Sequence, residues 1–441
     1  MSESPIRVLN DNGAYSWFMD ERAIVHNDRL LVGSVRSSSK SYRFGDVEAG
    51  EIGACEVAVH DLKTGKSHVI PLHSPFEQDD HNGPSLHVLP DGRVIAIYSR
   101  HSVERRVFWR ISQSEDLLTW GPIQSMETPG KDAPPCSGDN VTYSNPWQVS
   151  NGRLYNFFRC LHHQQNWMFS DDQGQHWQYG GMFLRGYQGY APYFKYAPGP
   201  DDRFFFIGTE DHPRQFDNSV YAGFIQNENI YQSDGTLYRA LSRTTEKSGD
   251  IWDMTCVYRG DADHVAWVVD LHVDPQGRPV CVFSTQRDGR GLPRGEAGFD
   301  HRYHYARWDG HCWIEHECAY AGTKLYSGED DYTGLVAIDP QDINSIYIST
   351  NADPANGRPL ISEADGKRHW EIFHGKTRDG GATWTWKPIT QNSTTDNLRP
   401  IIPVWRNSQV ALIWMQGSYP NHRGPWTTRI VASIFPRESG T

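Results

Sequence analysis

Seven times along 441 residues the chain sets an apolar run, a short polar turn and a second apolar run. The pairs are 22–26 with 30–34, 85–89 with 94–98, 146–149 with 154–158, 193–196 with 204–208, 270–273 with 280–283, 335–338 with 346–349, and 401–404 with 410–414. Asp91-Gly92 and Asn151-Gly152 sit at two of the turns, and Asp-Gly and Asn-Gly favour hairpins because both residues tolerate positive φ. One hairpin cannot cover its own apolar faces, so the units must stack. The spacing, roughly 60 residues per unit, is somewhat long for a propeller blade. It predicts an all-β, seven-bladed β-propeller formed as a single domain over residues 1–441. A pair of β-sandwiches or a β-helix is the competing arrangement.

Composition agrees with many short strands and tight turns. There are 16 Trp, 21 Tyr and 18 Phe, with 40 Gly and 26 Pro, and no long Ala/Leu/Glu/Lys segments at helical spacing. Lys plus Arg is 42 against 54 Asp plus Glu, a formal net charge of -12, with no basic run. That balance argues against a nucleic-acid partner. Apolar stretches are strand-sized, which argues against a membrane partner. Residues 1–30 lack the basic-then-apolar pattern of a secretory signal, so a cytoplasmic protein is expected if the sequence is full length. Seven cysteines are widely spaced without a CxxC pair, so free buried thiols with at most one bridge or metal site are expected rather than a disulfide framework.

Two octapeptides, Ser170-Asp-Asp-Gln-Gly-Gln-His-Trp177 and Thr377-Arg-Asp-Gly-Gly-Ala-Thr-Trp384, share the pattern Ser/Thr-x-Asp-x-Gly-x-x-Trp. They resemble the Asp-box of sialidase-like propellers. Asp172 and Asp379 are expected to brace their own turns rather than act in catalysis.

Register brings four chemically capable side chains to equivalent places. His81 and His101 lie about equally far from the Asp91-Gly92 turn, and Tyr143 and Arg159 about equally far from Asn151-Gly152. His81 to Tyr143 spans 62 positions and His101 to Arg159 spans 58, close to one repeat. In a propeller these ends meet on one face of the channel.

The segments Asp79-Asp-His-Asn-Gly-Pro84, Leu89 to His101, Tyr143-Ser-Asn-Pro146 with Phe158-Arg159, His212-Pro-Arg214 with Asn218-Ser-Val-Tyr221, and Asn397-Leu-Arg-Pro400 resemble the BNR-type propellers that include the ulvan lyases. The resemblance covers most of the chain. It implies a polysaccharide lyase that cleaves a 4-linked uronic acid in a sulfated polymer by β-elimination, with an anionic polysaccharide or oligosaccharide as partner. It also implies a secreted or periplasmic protein, at odds with the absent signal pattern.

The residue types suit that chemistry. Arg159 can grip a uronate carboxylate and lower the cost of removing the C5 proton. His81 is expected as base and Tyr143 as acid, with His101 orienting the substrate or sharing proton transfer; the assignments can exchange with the epimer attacked. Tyr187, Tyr190 and Tyr193 crowd one segment. Tyr190, His212, Arg214 and Tyr221 are the expected substrate-binding residues. No cofactor is needed for the chemistry. His272 and Cys281 flank Gln276-Gly277, and with His304 they form a candidate structural zinc set, or else a buried cysteine beside a hydrogen-bonded histidine. A sialidase-like glycoside hydrolase and a non-catalytic carbohydrate-binding propeller are the alternatives; no arginine triad for a sialidase is found.

Overall fold

The computed structural model describes residues 5–38, 40, 52–131, 138–187, 191–289 and 291–437. Among them there is no α-helix. The strands form seven principal sheets in chain order, the fold class of a seven-bladed β-propeller. Six of the seven hairpins legible in the sequence each open one sheet; in the seventh the strand before Gln409–Gln416 is Asn397–Ile401, upstream of the expected run 401–404. The backbone divides into two compact units, one of residues 1–161, 168–179 and 401–441, the other of 162–167 and 180–400.

In the first unit, Ala23–His26, Arg29–Arg36, Gly53–Asp61 and Ser67–Phe76 make one antiparallel meander. Ser85–Val88, Val94–Tyr98, Arg106–Ile111 and Gln124–Glu127 make the next. Alternation turns one face of each meander toward its neighbour. Leu31, Val57, Leu72 and Phe76 therefore pack with Leu86, Val94, Tyr98 and Phe108 in one buried cluster. Each such side chain contributes about 1.5–3 kcal/mol through burial. The strand Arg7–Asn10 pairs antiparallel with Arg429–Pro436, so the first strand completes the last sheet.

The second unit holds three sheets. One is built on Phe194–Pro198, Phe204–Gly208 and Val220–Gln226 and is extended to six strands. The others are Val265–Val273 through Trp313–Gly322 and Val336–Asp339 through Thr385–Pro388.

The two octapeptides fold as the same turn. Gly174 N donates to Ser170 Oγ at 2.8 Å, and His176 N to Asp172 Oδ1 at 2.9 Å. Gly381 N donates to Thr377 Oγ1 at 2.9 Å, and Thr383 N to Asp379 Oδ1 at 2.9 Å. Gly381, at φ +106, cannot carry a side chain there without strain, and a Cβ would also strike the Tyr305 ring. Both aspartates are spent on their own turns. The Thr377 hydroxyl is buried, so Thr377→Val should lower stability by about 1–2 kcal/mol in urea unfolding and leave any activity unchanged.

Candidate active site

The site lies in the first unit and is built on one buried carboxylate. Asp79 caps a single 3₁₀ turn, Asp80–Asn82, by accepting His81 N at 3.0 Å. The turn folds His81 back, so its Nδ1 lies 2.6 Å from Asp79 Oδ1 and 2.7 Å from Asp80 Oδ1. His101, which follows the strand Val94–Tyr98, places its Nδ1 2.9 Å from the other Asp79 oxygen. The two imidazoles stack with centroids 4.0 Å apart and planes within 9°. Glu77 fixes both segments, accepting Asn82 Nδ2 at 3.0 Å and His101 N at 3.1 Å.

Tyr143 and Arg159 come from the next hairpin. Thr142 pairs with Arg159, and the register then shifts before Asn145. Tyr143 occupies this bulge at φ +67, a costly conformation for a tyrosine, and bulges re-aim side chains in this way. Asn145 secures the bulge by accepting Asp20 N at 3.1 Å and donating to Phe18 O at 3.2 Å. The Tyr143 ring then lies 5.6 Å from His81, with the Arg159 guanidinium 4.8 Å over its centroid. All four residues of the expected catalytic set therefore stand in one cluster. His81, Tyr143 and Arg159 are buried, and the His101 side chain is 15% exposed.

Sequence reasoning missed the rest of the cluster. His422 packs edge-on to both histidines, 5.2 Å from His81 and 5.9 Å from His101. Its carbonyl accepts Asp80 N at 2.9 Å. Arg423 Nε lies 3.3 Å from Asp79, and Tyr419 donates to Asp80. The signal was positional: the 419–423 segment follows the second strand of its sheet, as His101 does in its own. Asp79 and Asp80 lay inside a quoted motif, but only the folded turn shows what they hold.

The charges separate the two histidines. Burial opposes a charged His81, but Asp79 and Asp80 outweigh it and raise the imidazole to about 9. Burial and the neighbouring His81 cation hold His101 well below its ordinary value. His422 is lowered to about 3, by burial foremost. Burial, with Asp79 beside it, pushes Glu77 up to about 7. At neutral pH the cluster holds one imidazolium, His81, and two neutral imidazoles.

Of the expected substrate-binding residues, Tyr190 lies outside the described residues. The other three are in the second unit. His212 is buried and takes Arg214 against both ring nitrogens, at 3.1 Å from the backbone N and 3.0 Å from Nη2. Arg214 also binds Glu329 at 2.9 Å. Tyr221 is apart from this pair: its buried hydroxyl donates to Glu210 at 2.8 Å and accepts from Arg259 at 2.9 Å.

The expected zinc set does not converge. The pairing register lies one residue from that counted, so Cys281 pairs with Leu271 and His272 with Val280. A one-residue slip puts His272 and Cys281 on opposite faces. His304 spends both ring nitrogens, on Thr285 at 3.0 Å and Glu315 at 2.6 Å. Among the described residues, the clusters with metal-ligand spacing are Asp79 with His101 and His422, and Asp79 with Asp80 and His81. Each is the candidate site itself. The six described cysteines form no disulfide with one another, and Cys136 lies outside the described residues.

Residues 51–320 match the family described as BNR repeat-containing family member. The chain belongs to this family. No curated protein sequence matches it. Among solved structures it is similar to a PL25 polysaccharide lyase, an ulvan lyase bound to -[GlcA(1-4)Rha3S]-, at 13% identity and TM-score 0.66, over 96% of this chain and 94% of that one. It is also similar to the polysaccharide lyase Uly1, at 11% identity and TM-score 0.58, over 98% and 97% of the two chains. At these identities the likeness establishes the fold.

The raised His81 has a stability signature. Its folded value stands above the unfolded 6.5, so the stabilisation is full below about 6.5 and is lost as pH rises through about 9. The stability difference between wild type and His81→Gln should therefore shrink steadily in urea unfolding between pH 6.5 and 9. A difference that grows over that range contradicts the assignment.

Proposed function

We propose that the chain is a polysaccharide lyase cleaving a 4-linked uronic acid in an anionic, sulfated polysaccharide of the ulvan type. The observation that carries this reading is the single cluster of a buried guanidinium, a phenol, an imidazolium and a neutral imidazole. The likeness in fold to two polysaccharide lyases supports it.

In this reading Arg159 and the His81 imidazolium meet the uronate carboxylate, so that charge developing on it after loss of the C5 proton is neutralised. His101 is the base, which exchanges the roles expected from sequence. It is neutral, and its Nδ1–H is directed to Asp79, which leaves the Nε2 lone pair to take the C5 proton. The C5–H electron pair becomes the C4=C5 double bond, the C4–O4 bond breaks, and O4 takes the Tyr143 proton. The products are an unsaturated uronate and a new hydroxyl end, and no water is consumed. The proton on His101 returns to Tyr143 through solvent.

With ulvan as substrate, ultraviolet absorbance of the unsaturated uronate should rise. Arg159→Ala, His101→Ala and Tyr143→Phe should each lower that rate by at least about 10²-fold. New reducing ends without the absorbance would mean hydrolysis and would end the lyase reading. The pH dependence of kcat/KM should show no acid limb near 6.5, because His101 is held well below that value. It should fall on an alkaline limb near 9, as His81 loses its proton.

A further inference from the structure

The second unit contains a cavity of about 390 Å³ that none of the chemistry above uses. Pro213, Phe216, Leu292 and Ala297 supply its apolar wall, and Arg214, Arg294 and Asp331 are among its polar lining. Leu292 is exposed although apolar. The volume takes one sugar ring, and an apolar wall with a few convergent polar groups is the usual make-up of a small-ligand site.

The polar groups are unevenly satisfied. Arg214 and Arg294 both grip one oxygen of Glu329, at 2.9 and 2.6 Å, and Arg294 also donates to Gly328 O at 2.6 Å. Lys324 binds Asp330 at 2.8 Å, and the other Asp330 oxygen accepts Gly295 N at 2.6 Å. Asp331 is different. It is 5% exposed, and its Oδ1 is buried without a hydrogen-bond partner among the described residues. A buried acceptor left unmet costs about 1–3 kcal/mol, so a ligand that brings a donor recovers that loss. Burial, with Glu329 beside it, pushes Asp331 up to about 7. Groups of this kind gather at functional sites.

Among the described residues the cations here are paired with Glu329 and Asp330, which leaves Asp217 and Asp331 as the further carboxylates of the lining. An arriving anion meets those carboxylates. A divalent ion finds no three-ligand cluster there among the described residues. We propose that this cavity is a saccharide subsite for a neutral sugar unit, whose hydroxyl donates to Asp331 Oδ1 while the ring lies against Phe216 and Leu292. The proposal rests on the saccharide reading above. It assigns the second unit a neutral sugar rather than the uronate.

The test is titration calorimetry on the full chain, with methyl α-L-rhamnopyranoside, sodium glucuronate, sodium sulfate and calcium chloride as separate probes. The rhamnoside should bind saturably. Asp331→Leu, which keeps size but removes the acceptor, should weaken it about tenfold. Asp331→Asn, which keeps one acceptor, should restore most of the affinity. Asp331→Ala repeats the removal with less bulk should the leucine variant fail to fold. The site is overturned if the rhamnoside does not bind, or if its binding ignores both removals. It is likewise overturned if glucuronate, sulfate or calcium binds through Asp331 instead. Release of unsaturated uronate by a protein that fails to bind the rhamnoside removes this subsite alone. Asp331-dependent binding with no such release removes the lyase reading alone.

Discussion

The candidate site depends on how one carboxylate is divided. Asp79 gives one oxygen to His81 and the other to His101, and it sits where water cannot share the work. A buried carboxylate must be compensated, and four nearby groups could do it: His81, His101, His422 and Arg423. Two stacked imidazoles 4.0 Å apart cannot both be charged cheaply. Asp80 breaks the tie by approaching His81 Nδ1 as well. The result is a cation and a neutral base side by side, fixed by a turn of three residues.

The other half of the cluster rests on a backbone constraint. A regular ladder through residues 142–148 would aim Tyr143 elsewhere. The register shift before Asn145 and the positive φ at Tyr143 bring its ring toward His81. Asn145, bonded to Phe18 and Asp20, ties the strained segment to a stretch outside the strands. The strain is localised where the ring is needed, and the surrounding hydrogen bonds make the conformation persist.

Much of this was legible in the sequence because its signals were local and repeated. The turn-flanked apolar runs give the hairpin strands of six sheets, since hairpin chemistry is written in adjacent residues; in the seventh, the run 401–404 meets the strand Asn397–Ile401 only at its last residue. Equal distances from two turns brought His81, His101, Tyr143 and Arg159 together for the same reason. The same method failed at Gln276-Gly277, where the pairing register is one residue from that counted and the face of a side chain is reversed. It was also silent on His422, which reaches Asp80 across 342 positions only when the last sheet closes with the first strand. Roles were the least legible part. A histidine's charge is set by its partners in space, and His81 and His101 look alike in a string of letters.

The most direct measurement is nitrogen-15 NMR of the ring nitrogens of His81 and His101 as pH is raised from 6 to 10. The account requires the His81 ring to remain doubly protonated at pH 8 and to lose its proton near 9, while the His101 ring is neutral throughout with its proton on Nδ1. A His81 ring already neutral at pH 7, or a His101 ring that carries the positive charge, contradicts it.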